Sequence, residues 1–412
     1  MSTTVLSSHA TAPPVRTLGL SRGKVGVLLW APLFIFLALV FFAPLAGMLG
    51  LAVKDAELAA VMPKTVEAFK HWDGRMPPPA VAYEAVARDL RQAREDRSVG
   101  VVGRRLNLED AGLRSVVTLT ARRLPDALDD RQDWKSLLAG IDPAWEAPVI
   151  WRALKHSTGP RTDLYLLDGL DLKRGDDGSI LHKSGTDAIY VDVLVRTFAI
   201  ALSATAICLL LAVPTASLLA YVGPSVRGLL MMALLLPLWT SVLVRSASWL
   251  VLLQKTGLVN QLLETLGWIS EPLSLIYNRT GVLIALCHVL LPYAVLPIYS
   301  SMNALPPSQM RAASSLGASP MLAFWRVYLP QILPGLSAAG MLVFILALGY
   351  YVTPLLLGGP SDQLLPYYIA FNATQTVNWG LASALGGILL LATVLLYALY
   401  VRLVGVHRIG LG

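Results

Sequence analysis

Apolar residues in this chain come in long unbroken runs that are unevenly spread. A helix needs about 20 apolar residues to cross a bilayer. Six segments meet that length: 25–53, 193–222, 228–253, 280–302, 336–357 and 381–404. The first is longer than the roughly 7–15 apolar residues of a secretory leader and ends in no small-residue cleavage site. It therefore reads as an uncleaved span. Between the first two runs the pattern changes to short apolar groups at helical spacing among charges. Pro77-Pro78-Pro79 precedes Val81, Ala82, Ala85, Val86, Leu90 and Ala93, which predicts a helix with proline at its start. Asn107 and Asp110 ahead of Leu113, Val116 and Val117 predict a second, side-chain-capped helix. Leu164 to Leu167, then Leu170, Leu172 and Ile180 around Asp177-Gly178, predict a small hairpin with an Asp-Gly turn. The expected fold is an all-α polytopic membrane protein with a mostly helical insertion between its first two spans.

Composition sharpens this division. Of 412 residues 55% are hydrophobic and 14% charged, with mean hydropathy +0.60, whereas soluble domains carry about 25% charged residues. Residues 54–191 hold 21 Lys/Arg and 22 Asp/Glu, leaving 12 basic and 4 acidic residues elsewhere. The net charge of +7 does not point to nucleic acid, because the cations outside 54–191 stand singly beside apolar runs and not on one solvated face. Arg16, Arg22, Lys24, Arg227, Arg311, Arg326, Arg402 and Arg408 fall on one side of the six spans. Only Lys255 and Arg279 fall in the short loops of the other side. The positive-inside bias then puts tails 1–24 and 406–412 in the cytoplasm and the 54–191 domain outside, with the span core at 192–405. Cys208 and Cys287 each lie inside an apolar run, which suits neither a disulfide framework nor a metal site. His71, His156 and His182 are too widely spaced to suggest metal binding. Trp134, Trp145 and Trp151 read as the core of the inserted domain, with ligand contact as the alternative.

The loop at 306–334 is longer than the roughly 2–8 residues usual between bundle helices. It reads Pro306-Pro307-Ser308-Gln309-Met310-Arg311-Ala312-Ala313-Ser314-Ser315-Leu316-Gly317-Ala318-Ser319-Pro320 and continues to Pro330. Two short helices broken by Gly317 and Pro320 are expected, with Ser308 as N-cap and Ala312, Ala313 and Leu316 on one face. Phe324, Trp325 and Val327 belong to the second helix, and Leu329-Pro330 leads back to the membrane. Such an element suits docking.

These residues resemble the permease subunits of ATP-binding-cassette (ABC) importers. That family carries Glu-Ala-Ala, three residues, Gly, nine residues, then Ile-x-Leu-Pro. Here Arg311-Ala312-Ala313, Gly317 and Val327-Tyr328-Leu329-Pro330 have the same spacing, with Arg311 in place of the acid. Further segments are similar to the spermidine/putrescine branch. They are 236–249 around Trp239, Arg245 and Trp249, Gly257-Leu258-Val259-Asn260, 291–297 around Tyr293, and 348–354 around Tyr350 and Tyr351. The resemblance covers about 25–53 and 190–405 and leaves out the inserted domain.

The resemblance implies a type I permease fold of six transmembrane helices in a bacterial inner membrane. The subunit would be non-catalytic and would carry a small polar solute, a polyamine first. It implies a second permease, two ATPase subunits and an extracytoplasmic solute-binding protein, all working in the lipid bilayer. ATP and Mg would be bound by the ATPase and no cofactor by this chain, which has no Gly-x-x-x-x-Gly-Lys-Ser/Thr loop. The ATPase-coupling residues would be Arg311, Ala312, Ala313, Leu316, Gly317, Leu329 and Pro330. Candidates for the solute path are Trp239, Arg245, Trp249, Tyr293, Tyr350 and Tyr351. An ion-coupled transporter is the alternative, but it needs ionisable groups mid-membrane. Only His288 lies deep in a span, since Arg245 on a continuous helix would approach the outer surface. A membrane enzyme or sensor would need a catalytic constellation in the insertion, and none stands out.

Overall fold

The computed structural model describes residues 22–72, 77–126, 133–175 and 178–404. Residues up to 48 form one compact unit and those from 49 onward another. The first unit contains a helix at Arg22–Leu37 that passes through a π turn, Ala38–Phe42, into Ala43–Leu51. The π turn has a local cause. Pro44 has no N–H for the carbonyl four residues back, and the Ala43 N–H reaches instead to the Ala38 carbonyl.

In the second unit the apolar runs become Tyr190–Tyr221, Arg279–Asn303, Pro320–Leu348 and Trp379–Arg402, all long enough to span a bilayer. Arg279–Asn303 is the most enclosed of these, and Tyr190–Tyr221 and Pro320–Leu348 pack against it. Small residues bring the helices close. Ala201, Ala204, Cys208, Ala212 and Ala216 recur at helical spacing and are buried on the face shared with Ala285, Leu286 and Ala294. The two cysteine thiols sit in this seam, Cys208 Sγ 3.8 Å from the Cys287 carbonyl and Cys287 Sγ 3.8 Å from the Ala204 carbonyl.

Two expected spans differ from the sequence reading. The 228–253 run is not one helix. Pro224–Trp239 and Val242–Leu252 meet at 103°. Pro237 tightens the end of the first piece into a 3-10 turn, Thr240 and Ser241 are extended, and Ser241 Oγ caps the new helix from Val244 N at 3.2 Å. The expected 336–357 span starts earlier and stops sooner. Its helix is continuous from Pro320 to Leu348, and Val352–Leu357 is separate.

The segment after the first helix is stitched in before it leaves the bundle. Lys54 bridges Arg161, and the Thr162 N–H donates to the Val53 carbonyl at 2.9 Å. Helices Glu57–Val61, Pro63–Phe69, Ala80–Glu95, Val99–Asn107, Leu113–Arg123, Trp134–Ile141 and Pro148–Ser157 enclose a core of their own. Trp145 and Trp151 fill it, with Trp151 Nε1 donating to the Trp145 carbonyl at 2.7 Å and Trp145 Nε1 to Thr120 Oγ1 at 2.8 Å. Trp134 is buried beside them, as the core reading requires. Ala80–Glu95 starts after Pro79 as expected, but Val81 is 63% exposed and Tyr83 is buried in its place.

Other local expectations are corrected. Asn107 ends a helix and does not begin one. Its Oδ1 accepts from Gly112 N at 3.1 Å, and Gly112 is the N-cap of Leu113–Arg123. Leu164–Gly169 is a helix, not a strand, while the hairpin pairs Leu172–Arg174 with Ile180–His182. Asp177 of its turn lies outside the described residues. The Leu164–Gly169 helix fastens the insertion to the last span, where a Cβ at Gly380 would lie 2.3 Å from the Tyr165 ring. Asp171 then caps the Tyr190–Tyr221 helix, its carboxylate accepting from the N–H groups of Ile189, Tyr190 and Val191 at 3.0, 3.0 and 2.7 Å.

A buried ion pair anchors the base of the inserted helices. Arg105 donates to Asp55 Oδ2 at 2.5 and 2.8 Å and to Glu109 at 3.0 Å, and His156 Nδ1 lies 3.7 Å from Glu109. Asp55→Asn leaves the Arg105 charge enclosed without its main partner. The expected loss is about 3–5 kcal/mol, read by denaturant unfolding of the purified chain. At Glu109 burial opposes ionisation, but His156 and Arg105 together hold the carboxyl below its usual range. A lowered folded pKa stabilises above the unfolded value and stops doing so as pH falls through the folded one. The melting-temperature gap between wild type and Glu109→Gln should therefore be full at pH 7 and close below about pH 4.

Candidate functional site

Two groups of residues stand out, at opposite ends of the Pro320–Leu348 helix. The first is the loop that precedes and opens it. Pro306 is the N-cap of Pro307–Ser315 and has no side-chain cap bond, so Ser308 is not the cap. Pro307 at the first position sets the backbone for helix entry instead. The helix ends in a Schellman motif, with Ala318 N donating to the Ala313 carbonyl at 3.1 Å and Gly317 N to Ser314 at 3.0 Å. Gly317 has φ +83° and nothing within 4 Å of a Cβ. Backbone conformation alone therefore asks for glycine here. Ser319 Oγ caps the next helix from Leu322 N at 3.4 Å. No break follows at Leu329-Pro330. A π turn at Phe324–Tyr328, closed by Leu329 N to the Phe324 carbonyl, carries the helix past the missing N–H of Pro330.

Ala312, Ala313 and Leu316 do not share a face. Ala313 is buried against the second helix, whereas Ala312 is exposed and Leu316 is 88% exposed at the C-cap. Arg311 and Pro330 are exposed and Leu329 half-buried. The exposed surface also takes in Met321 and Trp325, the latter 59% exposed. Met321 carried no signal in the spacing, and only its position beside a capped turn marks it.

The second group lies where the broken helix packs against Val352–Leu357. Ser246 Oγ meets Thr353 Oγ1 at 3.1 Å, both buried. One turn on, Trp249 Nε1 donates to His288 Nδ1 at 3.1 Å with the rings edge to face. Arg245 lies close enough to His288 and Tyr350 to act on both electrostatically, and Tyr293 likewise acts on Tyr350. The structure thus brings together Arg245, Trp249, Tyr293 and Tyr350 and adds His288. It leaves out Trp239, 81% exposed on the other side of the 103° break, and Tyr351, exposed before Val352. The break also corrects the position of Arg245. It stands four residues into a new helix, and its Nε and Nη1 are buried with no acceptor among the described residues. Asn260 is a latch: it bonds the Gln254 and Leu273 carbonyls and the Leu273 N–H at 2.9–3.0 Å.

A family model for the binding-protein-dependent transport system inner membrane component matches residues 194–405. This chain belongs to that family. The spermidine/putrescine transport system permease protein PotB of Salmonella typhimurium is 33% identical over 216 residues, covering 52% of this chain and 75% of the relative. PotB of Escherichia coli is 34% identical over 198 residues, 48% of this chain and 72% of the relative. Among solved structures, a bacterial alginate ABC transporter in complex with its pentasaccharide-bound periplasmic protein aligns with TM-score 0.41 at 17% identity, over 52% of this chain and 77% of that one. This chain is thus a multi-pass ABC importer permease. The family match takes in neither residues 25–53 nor residues 54–191.

For this permease, a half-buried guanidinium whose Nε and Nη1 find no acceptor among the described residues predicts an unusual response. Arg245→Met should keep or raise the melting temperature in detergent, because replacing a buried charge by an apolar side chain of similar volume is often neutral or stabilising. A melting temperature several degrees lower would mean that the guanidinium is paired.

Proposed function

We propose that this permease pairs with a second permease and two ATPase subunits and receives a small polar solute, a polyamine first, from an extracytoplasmic binding protein. ATP and Mg are held by the ATPase. The single observation that carries the coupling role is the capped helix pair at 307–323. It holds Leu316, Met321 and Trp325 exposed on a rigid turn with the family's spacing. The basic residues beside the spans support placing this loop and both termini in the cytoplasm. Arg311, Ala312, Ala313, Leu316 and Gly317 form the ATPase-facing end, and Leu329-Pro330 passes the movement into the Pro320–Leu348 helix. With Arg311 in the acid's place, the ATPase presents a carboxylate or a carbonyl there.

The polyamine reading is supported by the spermidine and putrescine transport of the PotB relatives and by the aromatic surroundings of the path, Trp249, Tyr293 and Tyr350. Exposed apolar side chains along the spans, Leu243, Val244 and Val251 among them, are the surface for the second permease. An ion-coupled mechanism finds little support. His288 accepts from Trp249 through Nδ1, which holds the ring neutral at that nitrogen.

Gly317→Val tests the coupling role. Left-handed backbone costs a β-branched residue about 1–2 kcal/mol, enough to distort the turn without touching another element. Binding-protein-stimulated ATP hydrolysis by the reconstituted importer should drop at least ten-fold while the variant still inserts and assembles. Stimulation at the wild-type level would remove the loop from the mechanism.

A further inference from the structure

The insertion-side end of the bundle holds a cavity of 510 Å³ that no residue discussed so far as a solute contact lines. Its volume falls within the roughly 300–1,000 Å³ usual for small-ligand sites. Tyr190, at the start of its helix, forms one wall, and Tyr367, Tyr368 and Phe371 form another. Gly358, Gly359 and Pro360 complete it in backbone. The rings are set across one another. Tyr190 and Tyr368 meet edge to face at 6.0 Å, as do Tyr367 and Tyr368 at 5.2 Å, while Tyr367 and Phe371 lie 6.0 Å apart at 31°.

One polar group of the cavity lacks a partner. Gln363 Oε1 is buried and accepts no hydrogen bond. Asn372 is satisfied, its amide donating to the Tyr368 carbonyl and its oxygen accepting from Thr376. A buried carbonyl without a donor is destabilising, and a ligand that supplies an N–H recovers that loss. Charge around the cavity points the same way. Asp168 and Asp171 act electrostatically on Tyr190. A larger cavity of 1160 Å³ adjoins through Ile189 and Tyr190, with Asp163, Asp168 and Asp187 among its lining residues. Of its cations, Arg174 and Lys183 are engaged by Asp163 and Asp168, and Arg161 and Lys173 also line it. On the span side Arg196 bonds Asp192 and the Ser361 carbonyl, its buried Nε finds no partner among the described residues, and it does not line the cavity.

Four aromatic rings, one orphan carbonyl oxygen and flanking carboxylates form a receptor for an organic cation with N–H donors. An anion would meet ring faces and a carbonyl of the wrong sign. We propose that this cavity is a recognition site for an alkylammonium group at the outer mouth of the permease, the ammonium donating to Gln363 Oε1 and its methylene chain lying among Tyr190, Tyr367, Tyr368 and Phe371. The proposal rests on the importer reading above and adds where the cation is first held by this subunit. Each cation–aromatic contact is individually weak. That suits a site which must release its ligand onward.

The test uses the assembled importer in nanodiscs without binding protein, with radiolabelled putrescine as probe. Wild type should bind it saturably, with no competition from the uncharged isostere 1,4-butanediol. Tyr367→Ala with Phe371→Ala should weaken binding at least ten-fold, and Gln363→Leu several-fold. Phe371→Tyr, which keeps the ring, should bind as wild type. Gel filtration and melting temperature report whether each variant assembles. If the double variant does not assemble, Gln363→Leu and Phe371→Leu take its place. Absence of saturable wild-type binding, equal competition by the diol, or unchanged affinity in assembled variants overturns the site. Uptake of putrescine with loaded binding protein is measured in parallel. Wild-type uptake that the variants leave intact overturns the cavity alone. Saturable binding without any wild-type uptake overturns the transport reading and leaves the cavity standing.

Discussion

Hydrocarbon offers no partner to a backbone N–H or carbonyl, so every interruption of a membrane helix must be satisfied from within the protein. This chain has many interruptions, because proline is frequent in its spans. Pro214, Pro292, Pro297 and Pro334 all lie inside helices. At Pro44 and Pro330 the remedy is the same. The residue just before the proline bonds five residues back, and a single π turn carries the helix through. At Pro237 the remedy is a full stop, with a 3-10 turn, two extended residues and a side-chain cap from Ser241. The first remedy keeps the loop and its following span one continuous rod. The second turns the chain by 103° and sets Arg245 at the start of a fresh helix.

The same constraint explains how a polar insertion can be set between two spans. The Tyr190–Tyr221 helix begins with N–H groups that have no intrahelical partner. Asp171 takes three of them in one carboxylate. The insertion thus carries the carboxylate that caps the next span. Its other end is fixed by the Lys54–Arg161 bridge and by Arg105 closing on Asp55. Tyr165 against Gly380 then ties the base to the last span. The helices from Glu57 to Ser157 carry their own core, and Arg105 in one of them is their link to this base.

Much of this was legible in the sequence because the signals were long. Runs of 20 apolar residues gave the spans, and the Ala-Ala…Gly…Leu-Pro spacing marked the loop. What stayed hidden depended on which group meets which across the fold. Ser241 reads as one more small residue in an apolar run until the helix is seen to restart there. Asp171 lies among charged neighbours and has no pattern of its own. Leu316 and Ala313 are three apart and look like one face, but the Schellman turn ends the helix between them and turns the leucine to solvent. Arg245 was counted along a straight helix, and the count failed because Pro237 had already bent it. The ring-lined cavity joins residues 189–190 to 358–372, a distance along the chain that no periodicity spans.

Charge is distributed along the solute's proposed route in a way that bears on release. Outside 54–191 the acids are Asp192, Glu264, Glu271 and Asp362. Asp192 and Asp362 stand at the insertion end, held by Arg196 and Arg279. Deeper in the bundle the charge is Arg245, with buried nitrogens that find no acceptor among the described residues of this chain. A site built from carboxylates there would hold a polycation too tightly to pass it on. Neutral rings at the mouth and a fixed positive charge further in give the opposite arrangement, since binding along a path must be favourable enough to enter and weak enough to leave.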